Sequence, residues 1–378
     1  MTKEYFGKNS IIKLKDIIDR NNPSSIFLVT GKKSYDISGA REKIEPILKE
    51  KNITHFNSFS VNPTVGDVKK GISDYKKTKP DMVIAVGGGS VLDIAKAINA
   101  LSYQSDKPEE YITGKKNMQN NIKPLISIPL TAGTGSEVTR FATIYYKNKK
   151  YSLSKEKYTL PEFAIIDPKL TDSMPKKLTA ITGLDAICQS IESIWAVGSL
   201  DTSRKYAFDS LKIGIKSIEK SVKNPDEKTR EHMAKTAYLS GKAINISRTT
   251  ACHSISYPMT SYFGISHGHA VALTMPVLIE YNSNVKDDDC NDPRGPVFVK
   301  KQIDKIIKII GYKNPIDAKN GFSDLIKKLG LENRLRDLKI DKDGIDLIIR
   351  EGFTPRRMNN NPRIIKEKDL KKILEEIW

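Results

Sequence analysis

The chain has 378 residues, 38% hydrophobic and 29% charged, with 63 lysines and arginines against 45 acids for a net charge of +18. That length allows two domains and a large core, that balance excludes a disordered chain, and no stretch approaches the roughly 20 apolar residues of a bilayer-spanning helix. The lysines are interleaved with acids, as in KDGIDLIIREGF and KEKDLKKILEEIW, and no aromatic-basic stripe or DNA-binding motif accompanies them. The charge therefore reads as a solvated surface whose field attracts anionic substrates and dinucleotides, not as a nucleic-acid or membrane face.

The first segment, MTKEYFGKNSIIKLKDII, reads as a polar start leading into an amphipathic helix. It lacks the apolar core of a signal peptide, and the expectation is a cytoplasmic protein. Cys188, Cys252 and Cys290 are too widely spaced for a disulfide framework or a CxxC zinc site. Strands are predicted at Ser25–Thr30, His55–Phe59, Met82–Val86, Leu125–Pro129, Phe141–Tyr146 and Phe163–Asp167, with helical patterns between several of them. That alternation predicts an α/β domain with a mostly parallel sheet covered on both faces. YYKNKKYSLS reads as a hairpin with Lys147-Asn148-Lys149 at its tip. Beyond the turn-rich joint bracketed by Pro168 and Pro175 the periodicity becomes helical, in LTAITGLDAICQSIESIWA, SRKYAFDSLKIGIKSIEKSV and TREHMAKTAYLSGKAINIS. The expected domains are residues 1–171, α/β and dinucleotide-binding, and residues 172–378, all helical.

Four constellations carry chemistry. In VIAVGGGSVLDIAKA, Gly87-Gly88-Gly89 joins an apolar strand to a helix. A turn without side chains lets a helix N-terminus approach a phosphate, although such a turn also serves as plain structure. It is neither a GxGxxG fingerprint nor a P-loop. In SIPLTAGTGSEVTRFATIY, Thr131, Thr134 and Ser136 add hydroxyls after a second strand, which favours a dinucleotide cleft. In GLDAICQSIES, Asp185 and Gln189 lie four apart on one helix face. In TTACHSISYPMTSYFGISHGHAVALTMP, His253, His267 and His269 supply three of the chain's five histidines in an apolar stretch. Two such histidines with Asp185 upstream suit a divalent metal.

GGGSVLDIAKA, PLTAGTGSEVTRFA, AIIDPKLT, TGLDAICQSIES and ISHGHAVALTMP, in that order, resemble the iron-containing (group III) metal-dependent alcohol dehydrogenases over essentially the whole length. The resemblance implies a dehydroquinate synthase-like fold and metal ligands at Asp185, Gln189, His253 and His267. The second of these is histidine in the family. A glutamine there could coordinate through its oxygen, orient a water, or mark loss of the metal. Tyr257 stands where many relatives carry a proton-relay histidine, and His269 is the other relay candidate. The resemblance places cofactor contacts at Gly87, Gly88, Gly89, Ser90, Asp93, Thr131, Thr134, Ser136 and Lys150. NAD-preferring relatives carry an aspartate where this chain has Gly31, followed by Lys32 and Lys33, so NADPH is expected over NADH.

KKYSL, IESIWAVGSLDTSRKYA, ISRTTACHSISYPMTSYFGISHGHA and the terminal Asn360-Asn361-Pro362-Arg363 resemble the phosphonoacetaldehyde reductases within that family. This implies reduction of phosphonoacetaldehyde to 2-hydroxyethylphosphonate with NADPH and Fe(II) or Zn(II), in phosphonate biosynthesis. Arg248, Arg363 and Arg140 are the expected substrate-binding cations, since a phosphonate needs Arg or Lys partners. The rivals are a reductase for another small aldehyde (butanal, 3-hydroxypropanal), a cyclase or lyase of the dehydroquinate synthase kind, and a binding protein that has lost the site. Relatives imply a homodimer or a higher homo-oligomer.

Overall fold

The computed structural model describes residues 2–147 and 149–378. The chain divides into two compact units, Met1–Met174 and Pro175–Trp378.

The first unit is built on a six-stranded sheet of β1 (Lys3–Phe6), β2 (Ser25–Thr30), β3 (Asn52–Phe56), β4 (Met82–Gly87), β5 (Leu125–Pro129) and the strand Phe163–Ile166. A separate antiparallel hairpin pairs β6 (Phe141–Tyr146) with β7 (Lys149–Ser154), which makes Phe163–Ile166 β8. The sheet order is β1-β8-β5-β4-β2-β3, and all its pairings are parallel. Its helices are α1 (Lys13–Asn21), α2 (Ser34–Ile37), α3 (Ala40–Leu48), α4 (Val65–Thr78), α5 (Gly89–Leu101), α6 (Pro108–Ile112) and α7 (Glu156–Thr159). The period-2 alternation of the strands decides the layers. Phe27, Val29, Val83, Ala85 and Leu125 pack with Val68, Ile72, Leu92 and Ala95 of α4 and α5. Their neighbours Ile26, Leu28, Met82, Ile84 and Ile126 pack on the other face with Leu14, Ile17, Ile44 and Leu48 of α1 and α3.

The predicted parallel sheet is present, with three differences in its strands. The strand expected at His55–Phe59 lies at Asn52–Phe56, because its register is set by β2, Ser25 opposite Asn52 through Val29 opposite Phe56. The strand at Phe141–Tyr146 leaves the sheet for the hairpin, whose expected tip residue Asn148 lies outside the described residues. The polar start contains a strand, β1, which pairs only with β8 at the sheet edge. An edge strand with no fully buried residue has little hydrophobic alternation to announce it.

The second unit is helical: α8 (Lys176–Trp195), α9 (Asp201–Lys223), α10 (Glu227–Ser247), α11 (Ala251–Phe263), α12 (His267–Ser283), α13 (Pro296–Ile309), α14 (Pro315–Lys328), α15 (Lys342–Gly352), α16 (Pro355–Met358) and α17 (Glu367–Glu376). Helix α8 is buried almost throughout from Thr179 to Trp195 and packs against α9, α10 and α12. Helix α11 packs against α12, α15 and α16. No helix among the described residues is long and apolar enough to cross a membrane.

Candidate cofactor loops and metal centre

In the first unit, β4 ends at Gly87, and Gly88 caps α5 in extended conformation. These glycines have no room for a side chain: a Cβ on Gly87 would meet Val91 Cγ2 at 2.3 Å, and one on Gly89 would meet Thr134 Cγ2 at 2.8 Å. A Cβ on Gly88 would stand 3.3 Å from Thr131. The two loops singled out in the sequence therefore press together at the N-terminus of α5, whose first N–H groups lack intrahelical acceptors. That open backbone cradle fits a dinucleotide phosphate.

Two of the expected contact residues face the protein interior. Asp93 accepts from Ser136 Oγ at 2.7 Å and from the Thr143 amide at 2.9 Å. Lys96, one helical turn on and fully buried, donates to Ser136 O (2.6 Å), Ser136 Oγ (2.8 Å), Thr139 O (2.8 Å) and Phe141 O (2.9 Å). Burial pushes the Lys96 ammonium down to about 8, against the pull of Asp93 and Glu137. Burial likewise raises the Asp93 carboxyl and pushes Glu137 up to about 7. Asp93 and Ser136 thus brace the second loop, and Lys96 is the brace that sequence reasoning missed. Its signal was a lysine in a helix otherwise buried from Ile94 to Leu101. The Ser90 hydroxyl is bonded to Val61 O, and Lys150 sits on β7 close enough to Asp93 to act on its charge. Gly31 follows β2, and Lys32 and Lys33 after it are exposed. Arg140 pairs with Glu156 at 3.6 Å and lies over the Phe141 ring.

In the second unit, α8 places Asp185, Gln189 and Glu192 along one face, α11 places His253, and α12 begins at His267. Gly268 makes the approach possible, because a Cβ there would lie 2.2 Å from Ile181 O and 2.9 Å from Asp185 Cβ. Ligand atoms of Asp185, His253 and His267 all fall within 4.8 Å of one another, the one such His/Cys/Asp/Glu group among the described residues. The two imidazoles stand 5.3 Å apart, centroid to centroid.

Each member has a support. Glu192 Oε2 accepts a hydrogen bond from His253 Nδ1, and its Oε1 accepts from Thr250 Oγ1 (2.7 Å) and the Thr250 amide (3.1 Å). With Nδ1 so engaged, Nε2 keeps its lone pair for the cluster. Gln189 donates from Nε2 to Asp185 Oδ2 at 3.2 Å, and its Oε1 accepts from Ser240 Oγ at 3.0 Å. Both ends of the amide are occupied, so Gln189 orients Asp185 and its oxygen is turned to Ser240. Asp185 Oδ1 is left buried without a hydrogen-bond partner, although His253 Nε2 stands 3.4 Å away. A buried orphan oxygen beside two imidazole nitrogens is a donor set that fits a divalent cation such as Fe(II) or Zn(II).

The remaining expected residues are placed differently from one another. Tyr257 is buried with its ring 6.3 Å from that of His267, and burial raises its phenol. His269 is committed elsewhere, its Nε2 lying 2.6 Å from Glu332 O, and burial lowers its pKa. Arg363 is held by Asp289 (2.7 Å) and Tyr281 O (2.7 Å), with no contact to the cluster. Arg248 ends α10 with φ 62°. Sequence reasoning missed Glu192. Glu192 was findable, since it continues the Asp185–Gln189 face by one more turn.

The pattern for iron-containing alcohol dehydrogenases matches residues 2–168, and the C-terminal pattern of that family matches residues 179–378. The chain belongs to the iron-containing alcohol dehydrogenase family and is an NAD(P)-dependent alcohol dehydrogenase or aldehyde reductase. It is 29% identical over 328 residues to the phosphonoacetaldehyde reductase of Streptomyces viridochromogenes, covering 83% of this chain and 80% of that protein. It is 30% identical over 388 residues to the NADPH-dependent butanol dehydrogenase of Clostridium saccharobutylicum, 99% and 96% of the two chains. Among solved structures it is similar to sulfoacetaldehyde reductase from Bifidobacterium kashiwanohense in complex with NAD+, at a TM-score of 0.88 and 29% identity over 100% of this chain and 96% of that one.

Proposed function

We propose that the protein reduces phosphonoacetaldehyde to 2-hydroxyethylphosphonate with NADPH, as a cytoplasmic homo-oligomer in phosphonate biosynthesis. The observation that carries the chemistry is the orphan Asp185 Oδ1 beside His253 and His267. The substrate rests on likeness to two reductases whose named substrates are both acetaldehydes with an acid group on the second carbon. NADPH rests on the exposed Lys32 and Lys33 after Gly31, where no carboxylate repels a 2′-phosphate.

The reduced nicotinamide supplies a hydride, and a divalent cation held by Asp185, His253 and His267 supplies Lewis acidity toward a carbonyl oxygen. One hydride and one proton convert the aldehyde to the primary alcohol. Glu192 fixes the tautomer and plane of His253, and Gln189 fixes the carboxylate of Asp185, so that the site is preorganised. The glycine cradle at the start of α5, held in shape by Asp93 and Lys96, would hold the phosphates of the dinucleotide. The proton comes from Tyr257 Oη, a phenol protonated at neutral pH. What supports Tyr257 over His269 is the position of its ring beside His267 and the commitment of His269 to Glu332.

The test is the initial rate of NADPH oxidation with phosphonoacetaldehyde, butanal and acetaldehyde, on the enzyme as purified, after chelation, and after adding Fe(II) or Zn(II). Expected are loss on chelation, rescue by metal, and kcat/KM at least about tenfold higher for the phosphonate, a preference of about 1.4 kcal/mol. Equal or better turnover of butanal establishes the second reading, a general small-aldehyde reductase, which the likeness to the butanol dehydrogenase favours.

A further inference from the structure

The second unit contributes two expected phosphonate cations, Arg363 and Arg248, the latter closing α10. Arg363 is spent on Asp289, and Arg294 is spent on Asp292. Arg357 is different. Its guanidinium lies over the Tyr257 ring, with Cζ 4.9 Å from the centroid, and that ring in turn lies beside His267 of the three-donor cluster. Its Nε donates to Thr249 Oγ1 at 3.1 Å. No carboxylate among the described residues pairs with it, and neither Nη donates to a described residue. The side chain is half-buried.

The position is built. Ser254 Oγ of α11 donates to Gly352 O at 2.6 Å and accepts from the Thr354 amide at 2.9 Å. Asn360 Nδ2 donates to Ser247 O (2.9 Å) and Thr249 O (3.0 Å), tying the far side of the same turn to the end of α10. The Asn-Asn-Pro-Arg segment thus works as a clamp that holds α16 and the Arg357 stem in place. Stacking on Tyr257 and the Nε bond fix the guanidinium plane, which leaves a preset fork of two nitrogens facing no protein acceptor.

We propose that Arg357 is the specificity-determining residue that binds the tetrahedral oxyanion of a two-carbon aldehyde, with its two Nη groups forked on the anion's oxygens. A fork of parallel N–H donors is the geometry that recognises such an anion, and an unpaired half-buried guanidinium gains more from an anion than a solvated one does. The assignment rests on the anionic-aldehyde reading above. It explains how an anion would be recognised at this cluster without Arg363.

The experiment compares the full-length metal-loaded wild type with Arg357→Ala, Arg357→Gln and Arg357→Lys. Each is assayed with NADPH against phosphonoacetaldehyde, sulfoacetaldehyde and propanal, and for inhibition by methylphosphonate. Expected in Arg357→Ala is a loss of about 100-fold or more in kcat/KM for phosphonoacetaldehyde, chiefly through KM and at least about tenfold beyond any loss for propanal. Arg357→Lys recovers part of the loss, because it keeps the charge and not the fork. Methylphosphonate inhibition weakens at least about tenfold in Arg357→Gln, which keeps the stem and carries the test if the alanine variant does not fold. A parallel loss for sulfoacetaldehyde identifies the shared tetrahedral oxyanion as the ligand, and a loss confined to phosphonoacetaldehyde identifies the phosphonate. Wild-type preference for the anionic aldehydes that survives in every variant overturns the role of Arg357 and leaves the substrate reading standing. A wild type with no such preference overturns both.

Discussion

Each unit of this chain carries an inward-facing aspartate on a helix, half-buried Asp93 and buried Asp185, and the two are treated in opposite ways. Asp93 on α5 has both oxygens occupied, by Ser136 Oγ and the Thr143 amide, with the Lys96 ammonium as countercharge. Asp185 on α8 has Oδ2 held by Gln189 and Oδ1 left without a partner. A complete polar network fixes a shape, here that of the second glycine-rich loop. An incomplete one beside two imidazoles has the donor set that fits a cation.

The largest test of that contrast is removal of a donor. Asp185→Ala and His253→Ala are each expected to lower kcat by about 1,000-fold or more, about 4 kcal/mol of transition-state stabilisation. Each is also expected to lose bound metal by elemental analysis. Retention of both metal and rate would show that the orphan oxygen is not a ligand.

Lys96→Met attacks the complete network instead. It removes an ammonium that lies within hydrogen-bond distance of four oxygens and leaves Asp93 without its cation, an expected cost of about 3–5 kcal/mol in urea unfolding. NADPH affinity should fall as the second loop loosens, while metal content stays at the wild-type level. Metal lost in step with the cofactor would mean that the two centres are not independent.

Glu192→Gln sharpens the contrast within the second unit, because it alters a support and spares the donors. The expected effect is a 10–100-fold weaker hold on the metal in competition with a chelator, about 1.4–2.7 kcal/mol. His253 would no longer have a carboxylate on Nδ1 to set its tautomer. Unchanged affinity would reduce Glu192 to a packing role.

The two centres were not equally legible in the sequence. Gly87-Gly88-Gly89 announces itself because close packing of Gly87 against Val91 and of Gly89 against Thr134 leaves no room for a Cβ, so the residue type itself encodes the geometry. Asp185, His253 and His267 stand out because ionisable groups are rare in apolar helices. The parallel sheet follows from strands whose alternate residues feed two cores. The supports were hidden for physical reasons. Lys96 looks like one more lysine in a lysine-rich chain, and only its burial distinguishes it. Gln189 invites comparison with a ligand, yet the bond its oxygen accepts comes from Ser240, on a helix 51 residues away. Arg357 lies 108 residues from its partner Thr249, and no local pattern encodes such a contact. β1 has no buried residue to mark it.

The last test separates the centres by pH. Glu137, next to Ser136 in the second loop, is buried, and burial pushes its carboxyl up to about 7. A bond to its own backbone amide and the charge of Lys96 oppose the rise, and the Glu4 carboxylate adds to it. A carboxyl raised above its unfolded value binds its proton more tightly in the native state. Its contribution to stability is therefore fully present below about pH 4.5 and is lost as the pH climbs through 7. Glu137→Gln removes that titration. In urea unfolding of the full chain, the variant should gain about 3 kcal/mol relative to wild type between pH 4.5 and pH 7.5. Metal affinity at fixed pH should be unchanged, since Glu137 belongs to the network that is already complete. A variant whose stability tracks that of the wild type across the whole range would mean that Glu137 stays ionised in the fold, with Lys96 holding its charge, and that the brace of the cofactor loop is an ion pair rather than a protonated acid beside a lysine.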